Sequence, residues 1–497
     1  MMFSRCHPLV CSMVFPLIGV LAASSGATWG HAHEQNRPNV ILIMVDDLGY
    51  NDLSCFGHPE IKTPVLDQLA RDGMRLTGFY SGASVCTPSR MALLTGCYPV
   101  RMGWKKGVVG YKMGLREGLH PRAITMAEIF QNAGYTTGIS GKWHLGSEPP
   151  CRPHRQGFDT SYYIDKSNNQ TRQIWRGDEV IEEKFVNRYL TEQFTEQALN
   201  FIQRNHNSPF FLYLPYTAPH FPVEAHPDWK GKSGFGAYGD VVEELDARIG
   251  EICNALKKLD LAGNTVVVFC SDNGPQPGQA ASAYPWRGMK WSALEGGTRV
   301  PCIIRWPGKI HAGTSSDELV SAMDLLPTLC HLTGVDLSDA LKQLQPRTPE
   351  SSGKESSGKE SSGEESSSLF PLQVDGRSVA SILRGTKESL PDRTLLYWHG
   401  MGELQAIRKG SWKLFLDRAA ALSGLGVDEK LSAQQRQALD DLARGTGPVL
   451  FDLGKNKQEL VDYSKKNPEL VKQLQALAVE QATRLKENTL PLWRPEK

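Results

Sequence analysis

Residues 40–47 read VILIMVDD, six apolar side chains running straight into two adjacent carboxylates, Asp46 and Asp47. Three later segments repeat that plan. Residues 135–140 (YTTGIS) lead into Gly141, Lys142, Trp143 and His144, and residues 210–214 (FFLYL) precede Pro219 and His220. Residues 266–270 (VVVFC) end in Ser271, Asp272, Asn273 and Gly274. Apolar runs this short and rich in β-branched residues predict strands buried on both faces. Amphipathic helices fall between them. Thr63 is a good N-cap with Pro64 at the first helical position, and Val65, Leu66, Leu69 and Ala70 mark one face. Residues 125–133 and 240–259 carry similar spacing. Strands alternating with helices define the α/β class, an open, mostly parallel sheet covered by helices on both faces. Ligands of such sheets bind beyond the carboxyl ends of the strands, so the four polar endings are expected to meet on one rim.

The chain has 497 residues, which favours two domains, and its 40% hydrophobic content supports a packed core and excludes global disorder. A formal net charge of +1 argues against nucleic acid as the main partner, since phosphate backbones select basic surfaces. Residues 1–27 read as a signal peptide: Arg5 and His7, an apolar stretch over 9–23, then Ser24, Ser25, Gly26 and Ala27. The stretch is broken by Ser12, Pro16 and Gly19 and falls short of the about 20 apolar residues a stable membrane span needs. A secreted or periplasmic protein is expected, lysosomal or extracellular in a eukaryotic host. Of 10 cysteines, Cys6 and Cys11 leave with the signal, and the rest show no Cys-x-x-Cys spacing. Export permits disulfides, with the pairing open. The main domain is expected over 37–341. Residues 351–368, SSGKESSGKESSGEESSS, hold no apolar side chain and lie in a loop or linker over 346–369. A smaller α+β domain follows over 370–497, with short strands at 395–398, 404–408 and 412–416 and a helix over 468–486 behind the N-cap Asn467.

Asp46, Asp47, Asp272 and Asn273 offer hard oxygen ligands, which suit calcium or magnesium better than zinc. Neighbouring aspartates repel each other unless a cation or a shared proton stabilises them. Either pair alone also fits a tight turn; their joint position at strand ends points to a metal. Cys86 opens the run CTPSRMALLTG over 86–96, with Pro88 in the first turn of a helix and Met91, Leu93 and Leu94 on its apolar side. Cys86 therefore stands at or just before a helix start, where the macrodipole and free N–H groups favour an anion. Arg90 adds a bidentate donor for oxyanions. A thiolate would be activated there, and a buried structural cysteine fits equally well.

Cys86, Thr87, Pro88, Ser89 and Arg90, followed by Leu94, Thr95 and Gly96, resemble the sulfatase family's signature for converting cysteine into formylglycine. GYTTGISGKWH over 134–144 resembles the family's second signature. Asp46-Asp47-Leu48-Gly49 and Ser271-Asp272-Asn273-Gly274 fall where that family places its metal ligands. Lys290, followed by Glu295, Gly296, Gly297 and Arg299, resembles the segment bearing its catalytic lysine. The resemblance spans about 37–327 and is less sharp beyond, where residues 450–453 resemble the closing strand.

What the resemblance implies is an alkaline-phosphatase-like fold, one Ca²⁺, a formylglycine-generating maturase as partner, and hydrolysis of sulfate esters on a small molecule or glycan. Asp46, Asp47, Asp272, Asn273 and the modified Cys86 would hold the ion, and Arg90 and Lys142 would fix the formylglycine and the sulfate. One hydroxyl of the hydrated aldehyde would attack sulfur, Lys290 or His220 would protonate the departing alcohol, and His144 would take the proton of the second hydroxyl as sulfate leaves. His220 also reads as a loop histidine among aromatics, and Lys290 as an exposed lysine with a buried stem. A further sulfate-pocket residue is expected within 157–169, where Tyr162, Tyr163, Ser167 and Asn168 stand unassigned. Rival readings are a formylglycine-dependent phosphodiesterase or phosphonate hydrolase, a non-catalytic sulfoglycan-binding protein and, more remotely, a cysteine hydrolase. A sulfated carbohydrate is the expected substrate, with Trp104, Tyr111, Trp175, Trp229, Trp286 and Trp291 as candidate stacking surfaces.

Overall fold

The strand Asn39–Val45 is buried at every position and lies inside a ten-stranded sheet. The computed structural model describes residues 37–344, 373–387, 389–422, 432–487 and 489–495. The expected signal peptide (1–27) and linker (346–369) lie outside them. Edge to edge, the strands run Thr314–Ser316, Met74–Leu76, Cys302–Arg305, Thr265–Ser271, Asn39–Val45, Phe210–Pro215, Thr136–Lys142, Thr160–Ile164, Ile174–Arg176 and Glu179–Glu182. The five from Thr265–Ser271 to Thr160–Ile164 are parallel to their neighbours, and antiparallel pairs flank them on both sides. The sheet is thus mostly parallel where it matters for a site.

Side-chain alternation splits the core in two. Val40, Leu42 and Met44 join one apolar cluster with Leu93, Phe130 and Leu329, while Ile41, Ile43 and Val45 join another with Leu66, Phe194 and Leu245. Both faces are covered, which is why these strands read as continuous apolar runs. Register then places the functional ends: Val45 pairs with Ser271 and Met44 with Pro215, so Asp46-Asp47 emerges beside Asp272-Asn273.

The helix Pro64–Asp72 starts behind Thr63 as the sequence predicts, but the threonine hydroxyl bonds Ser54 at 2.8 Å instead of capping the helix. Its free N–H groups at Val65 and Leu66 donate instead to the Asp246 carboxylate, at 3.0 and 2.8 Å. The helix predicted over 125–133 is Met126–Asn132, closed by a Thr125–Glu128 capping box. The one predicted over 240–259 begins earlier, at Gly236–Lys258. Further along the chain, Thr394–Trp398, Leu404–Lys409, Trp412–Phe415 and Val449–Asp452 form a consecutive antiparallel sheet, followed by the helix Pro468–Glu487. All eight cysteines among the described residues are free thiols.

Candidate active site

Cys86 is the first residue of the helix Cys86–Thr95, every residue of which is buried, and its Sγ lies 3.4 Å from Asp46 Oδ1. Ligand atoms of Asp46, Asp47 and Cys86 all fall within 4.8 Å of one another. Three cationic groups and a histidine surround these acids. Lys142 Nζ donates to Asp46 Oδ2, and Lys290 Nζ meets the two oxygens of Asp47 at 2.7 and 2.8 Å. Arg90 donates twice to Asp272 Oδ2, at 2.7 and 3.2 Å, and once to the Lys142 carbonyl at 2.9 Å. His220 Nε2 stands 3.6 Å from Asp47 Oδ2. Asn273 Nδ2 donates to Asp47 Oδ1 at 2.7 Å, while its Oδ1 is buried with no hydrogen-bond partner.

The local chain geometry is unusual where these groups emerge. Asp47 takes φ 65°, His144 φ 59° and Trp291 φ 79°, conformations that bulky L-residues rarely adopt and that accumulate at functional sites. Gly141, at φ 142°, has no alternative residue: a Cβ there would lie 2.0 Å from the Pro215 carbonyl oxygen. The strand end that carries Lys142 therefore packs directly against Pro215.

Electrostatics follow from burial and charge together. Burial acts to raise the Asp46 carboxyl, but Lys142, with His220, Arg90 and Lys290 behind it, holds it well below the usual carboxylate range. Asp272 goes the other way, raised by burial and by the charge of Asp46 against the pull of Arg90. Burial would lower Lys290, yet Asp47 keeps its ammonium above the ordinary lysine value. Burial pushes His220 down to about 4 and His144 well below its usual value. The Cys86 thiol is pushed up to about 12, by burial first and Asp46 second. Of the two readings open for Cys86, this favours the buried, unactivated thiol, because desolvation and an adjacent carboxylate outweigh the helix N-terminus.

The tautomer of His144 can be argued from its partner. Nε2 sits 3.1 Å from the Val109 carbonyl, which only accepts, so Nε2 carries the hydrogen. Nδ1 is left as a buried lone pair with no partner. Thr87 Oγ1 donates to the His144 carbonyl at 2.9 Å and ties the imidazole segment to the Cys86 helix.

Cys86, His144, His220 and Lys290 line a cavity of about 220 Å³. Ser167 lines it as well, bonding Lys142 Nζ at 3.0 Å and His220 Nε2 at 3.4 Å. Ser167 lies in the stretch left unassigned by sequence, in a loop just beyond the strand Thr160–Ile164. Of the candidate stacking residues, Tyr111 and Trp291 line the cavity, whereas Trp104 and Trp286 are buried. Glu295 and Arg299 stand outside it, in an ion cluster with Lys413 and Arg408.

A mostly parallel α/β sheet with acids clamped by lysine and arginine beyond its strand ends has the alkaline-phosphatase-like architecture. A family model described as Sulfatase matches residues 38–335. Arylsulfatase A of Bos taurus is 33% identical over 483 residues, covering 88% of this chain and 87% of that protein. N-acetylgalactosamine-6-sulfatase of Mus musculus is 36% identical over 351 residues, 65% of this chain, and the match spans 66% of that relative's length, just under two thirds. A solved structure described in connection with the metabolism of multiple glycosaminoglycans by Bacteroides thetaiotaomicron superposes with a TM-score of 0.71 at 26% identity, covering 90% of this chain and all of that one (100%). The chain belongs to the sulfatase family.

Among the described residues, no helix is long and apolar enough to cross a membrane.

Proposed function

We propose that this protein hydrolyses sulfate monoesters on a carbohydrate, using a formylglycine made from Cys86 and one Ca²⁺. The observation that carries the reading is the meeting of Asp46, Asp47 and Cys86 ligand atoms within 4.8 Å, beside a pocket lined by His144, His220 and Lys290. The residues fit a hard cation. Asp46, Asp47, Asp272 and Asn273 supply oxygen donors, and the orphaned Asn273 Oδ1 is a buried acceptor with no protein partner. When bound, such an ion supplies Lewis-acid polarisation of the sulfate and of the nucleophile. The hydrated aldehyde of a formylglycine supplies two hydroxyls where a cysteine has one thiol.

The chain's own groups account for the rest. Lys142 and Arg90 stand behind Asp46 and hold the floor of the site, and Lys142 with Ser167 offers donors to an oxyanion. Lys290 keeps its proton and His220 lacks one, so Lys290 is the proton-bearing partner for a leaving alkoxide, with His220 positioned by the Phe221 carbonyl at 2.7 Å. His144, with Nδ1 free, takes a proton from the formylglycine position as sulfate departs. Export behind a signal at 1–27, a catalytic domain over 37–341, a linker over 346–369 and a C-terminal domain over 370–497 complete the reading, with a maturase required before folding. The carbohydrate assignment is supported by relatives named N-acetylgalactosamine-6-sulfatase.

The test has two arms on protein from a host with the maturase. Mass spectrometry of the Cys86 peptide should show the aldehyde, and turnover of 4-nitrophenyl sulfate should exceed that of an aryl phosphate diester. A preferred diester would make the protein a phosphodiesterase; an intact thiol would support a non-catalytic binding protein.

A further inference from the structure

Residues 103–112 form a loop carrying three exposed lysines, Lys105, Lys106 and Lys112. The same loop gives Val108 and Tyr111 to the pocket that holds Cys86. Tyr111 is 51% exposed, yet its ring packs T-shaped with Trp291, the centroids 5.6 Å apart, and Lys112 Nζ lies 5.5 Å from the Tyr111 ring centroid. Trp291 is itself fixed: its N–H donates to the Ser84 carbonyl at 2.9 Å, and its carbonyl accepts from the Gly400 N–H at 3.3 Å. A rigid, half-exposed aromatic beside the pocket is a surface on which a sugar ring can rest.

The other flank of the loop borders a second, larger cavity of about 760 Å³. Lys105, Lys486 and Arg494 are its charged lining, Arg494 being paired with Glu117 at 2.7 Å, and no carboxylate lines it or the Cys86 pocket. Among the described residues Lys105, Lys106, Lys112 and Lys486 form no ion pair. Other exposed lysines, such as Lys257 and Lys258, are equally unpaired among the described residues, so what sets this group apart is its place beside the Cys86 pocket. The formal net charge is only +1, and three exposed ammonium groups fall within eight residues of this loop.

We propose that this loop is a subsite for a second anionic group of the substrate. The sulfated residue enters the Cys86 pocket, its neighbour rests against Tyr111, and a carboxylate or sulfate of that neighbour lies on Lys105, Lys106 and Lys112. The preferred substrate is then an acidic oligosaccharide. This inference rests on the sulfatase reading. Exposed lysines attract by long-range, salt-screened forces, so the subsite should act on substrate capture and weaken with ionic strength.

Three probes separate the claims: 4-nitrophenyl sulfate, N-acetylgalactosamine 6-sulfate, and the uronate-containing disaccharide of chondroitin 6-sulfate. The expected result is a disaccharide KM at least tenfold below that of the monosaccharide, and a ratio that collapses in the triple variant Lys105→Ala, Lys106→Ala, Lys112→Ala or in 300 mM NaCl. 4-Nitrophenyl sulfate, with no second charge, is the internal reference for folding and maturation. Calorimetric binding of the disaccharide to wild type and triple variant gives a readout independent of turnover. Lysine-dependent binding without any turnover would sink the sulfatase reading and leave the subsite standing. A KM ratio or binding constant unchanged by the three substitutions, or no disaccharide binding at all, would overturn the subsite.

Discussion

Lys413 Nζ lies 2.9 Å from Glu295 Oε1, a fully buried ion pair that joins the C-terminal sheet to the segment carrying Lys290. Glu459 Oε1 completes a triad at 3.0 Å from the same ammonium, and Glu459 Oε2 accepts from the Glu295 N–H at 2.8 Å. Arg287, at the start of that segment, donates to the carbonyls of Gln458, Ala421 and Glu459. The loop that delivers Lys290 to Asp47 is therefore held from the C-terminal side. Lys413→Met should leave Glu459 without its ion pair and Glu295 with only Arg299 and Arg408, at 3.4 and 3.5 Å; removing one partner of a buried pair costs about 3–5 kcal/mol. Thermal unfolding should show a large drop in Tm, and the surviving folded fraction should turn over aryl sulfate more slowly. A variant as stable as wild type would mean that the triad does not hold the two parts together.

Cation binding can be read without any assay of turnover. A ligand bound only by the folded state adds about 2.7 kcal/mol at a hundred times its Kd. CaCl₂ should therefore raise Tm over an EDTA-treated sample. Asn273→Ala should shrink that rise, because it removes the one buried oxygen of the cluster that has no protein partner. Equal Tm in calcium and EDTA would count against the cation assignment.

Much of this was legible in the sequence, for a physical reason. Asp46, Lys142, His144 and Asp272 stand at or just past the ends of parallel strands, so an apolar run that stops in polar residues marks both the strand and the rim. Ser167 and the Val109 carbonyl carry no such mark: one sits in a loop beyond a strand, and the other is a backbone oxygen that any residue would present. The Glu295–Lys413 pair joins positions 118 residues apart, and the helix at Pro64 is capped by Asp246 from 180 residues away. Contacts of that kind belong to packing and have no local pattern to read. For Cys86 the sequence leaves an activated and a buried structural thiol equally open for the same reason, since helix position is local and burial is not.

Glu128 offers a pH test away from the site. Its carboxylate closes the capping box on the Thr125 N–H at 2.7 Å, but burial outweighs that bond and raises its pKa from 4.5 to about 7. A carboxyl raised in the folded state favours folding while it is neutral. Its contribution is fully present below about pH 4.5 and is lost as pH rises through about 7. Glu128→Gln keeps the reach of the capping side chain and cannot ionise. The Tm of the variant relative to wild type should therefore rise between pH 5 and pH 8. A constant difference across that range would mean that Glu128 does not titrate in the folded protein.

His144 is the group whose removal should separate the two halves of the reaction. Its Nε2–H is committed to the Val109 carbonyl, so only Nδ1 can accept a proton, and burial with Lys142 nearby keeps the ring neutral and ready to do so. The proposed use of that lone pair comes after the alcohol has left. His144→Ala should then release about one equivalent of 4-nitrophenol per matured enzyme in a burst, followed by a steady state slower by about 10²–10⁴, the usual worth of a positioned general base. Added imidazole should speed the slow phase and leave the burst alone. Loss of the burst itself, in protein whose Cys86 peptide carries the aldehyde, would place His144 in the first step instead and require another base for the release of sulfate.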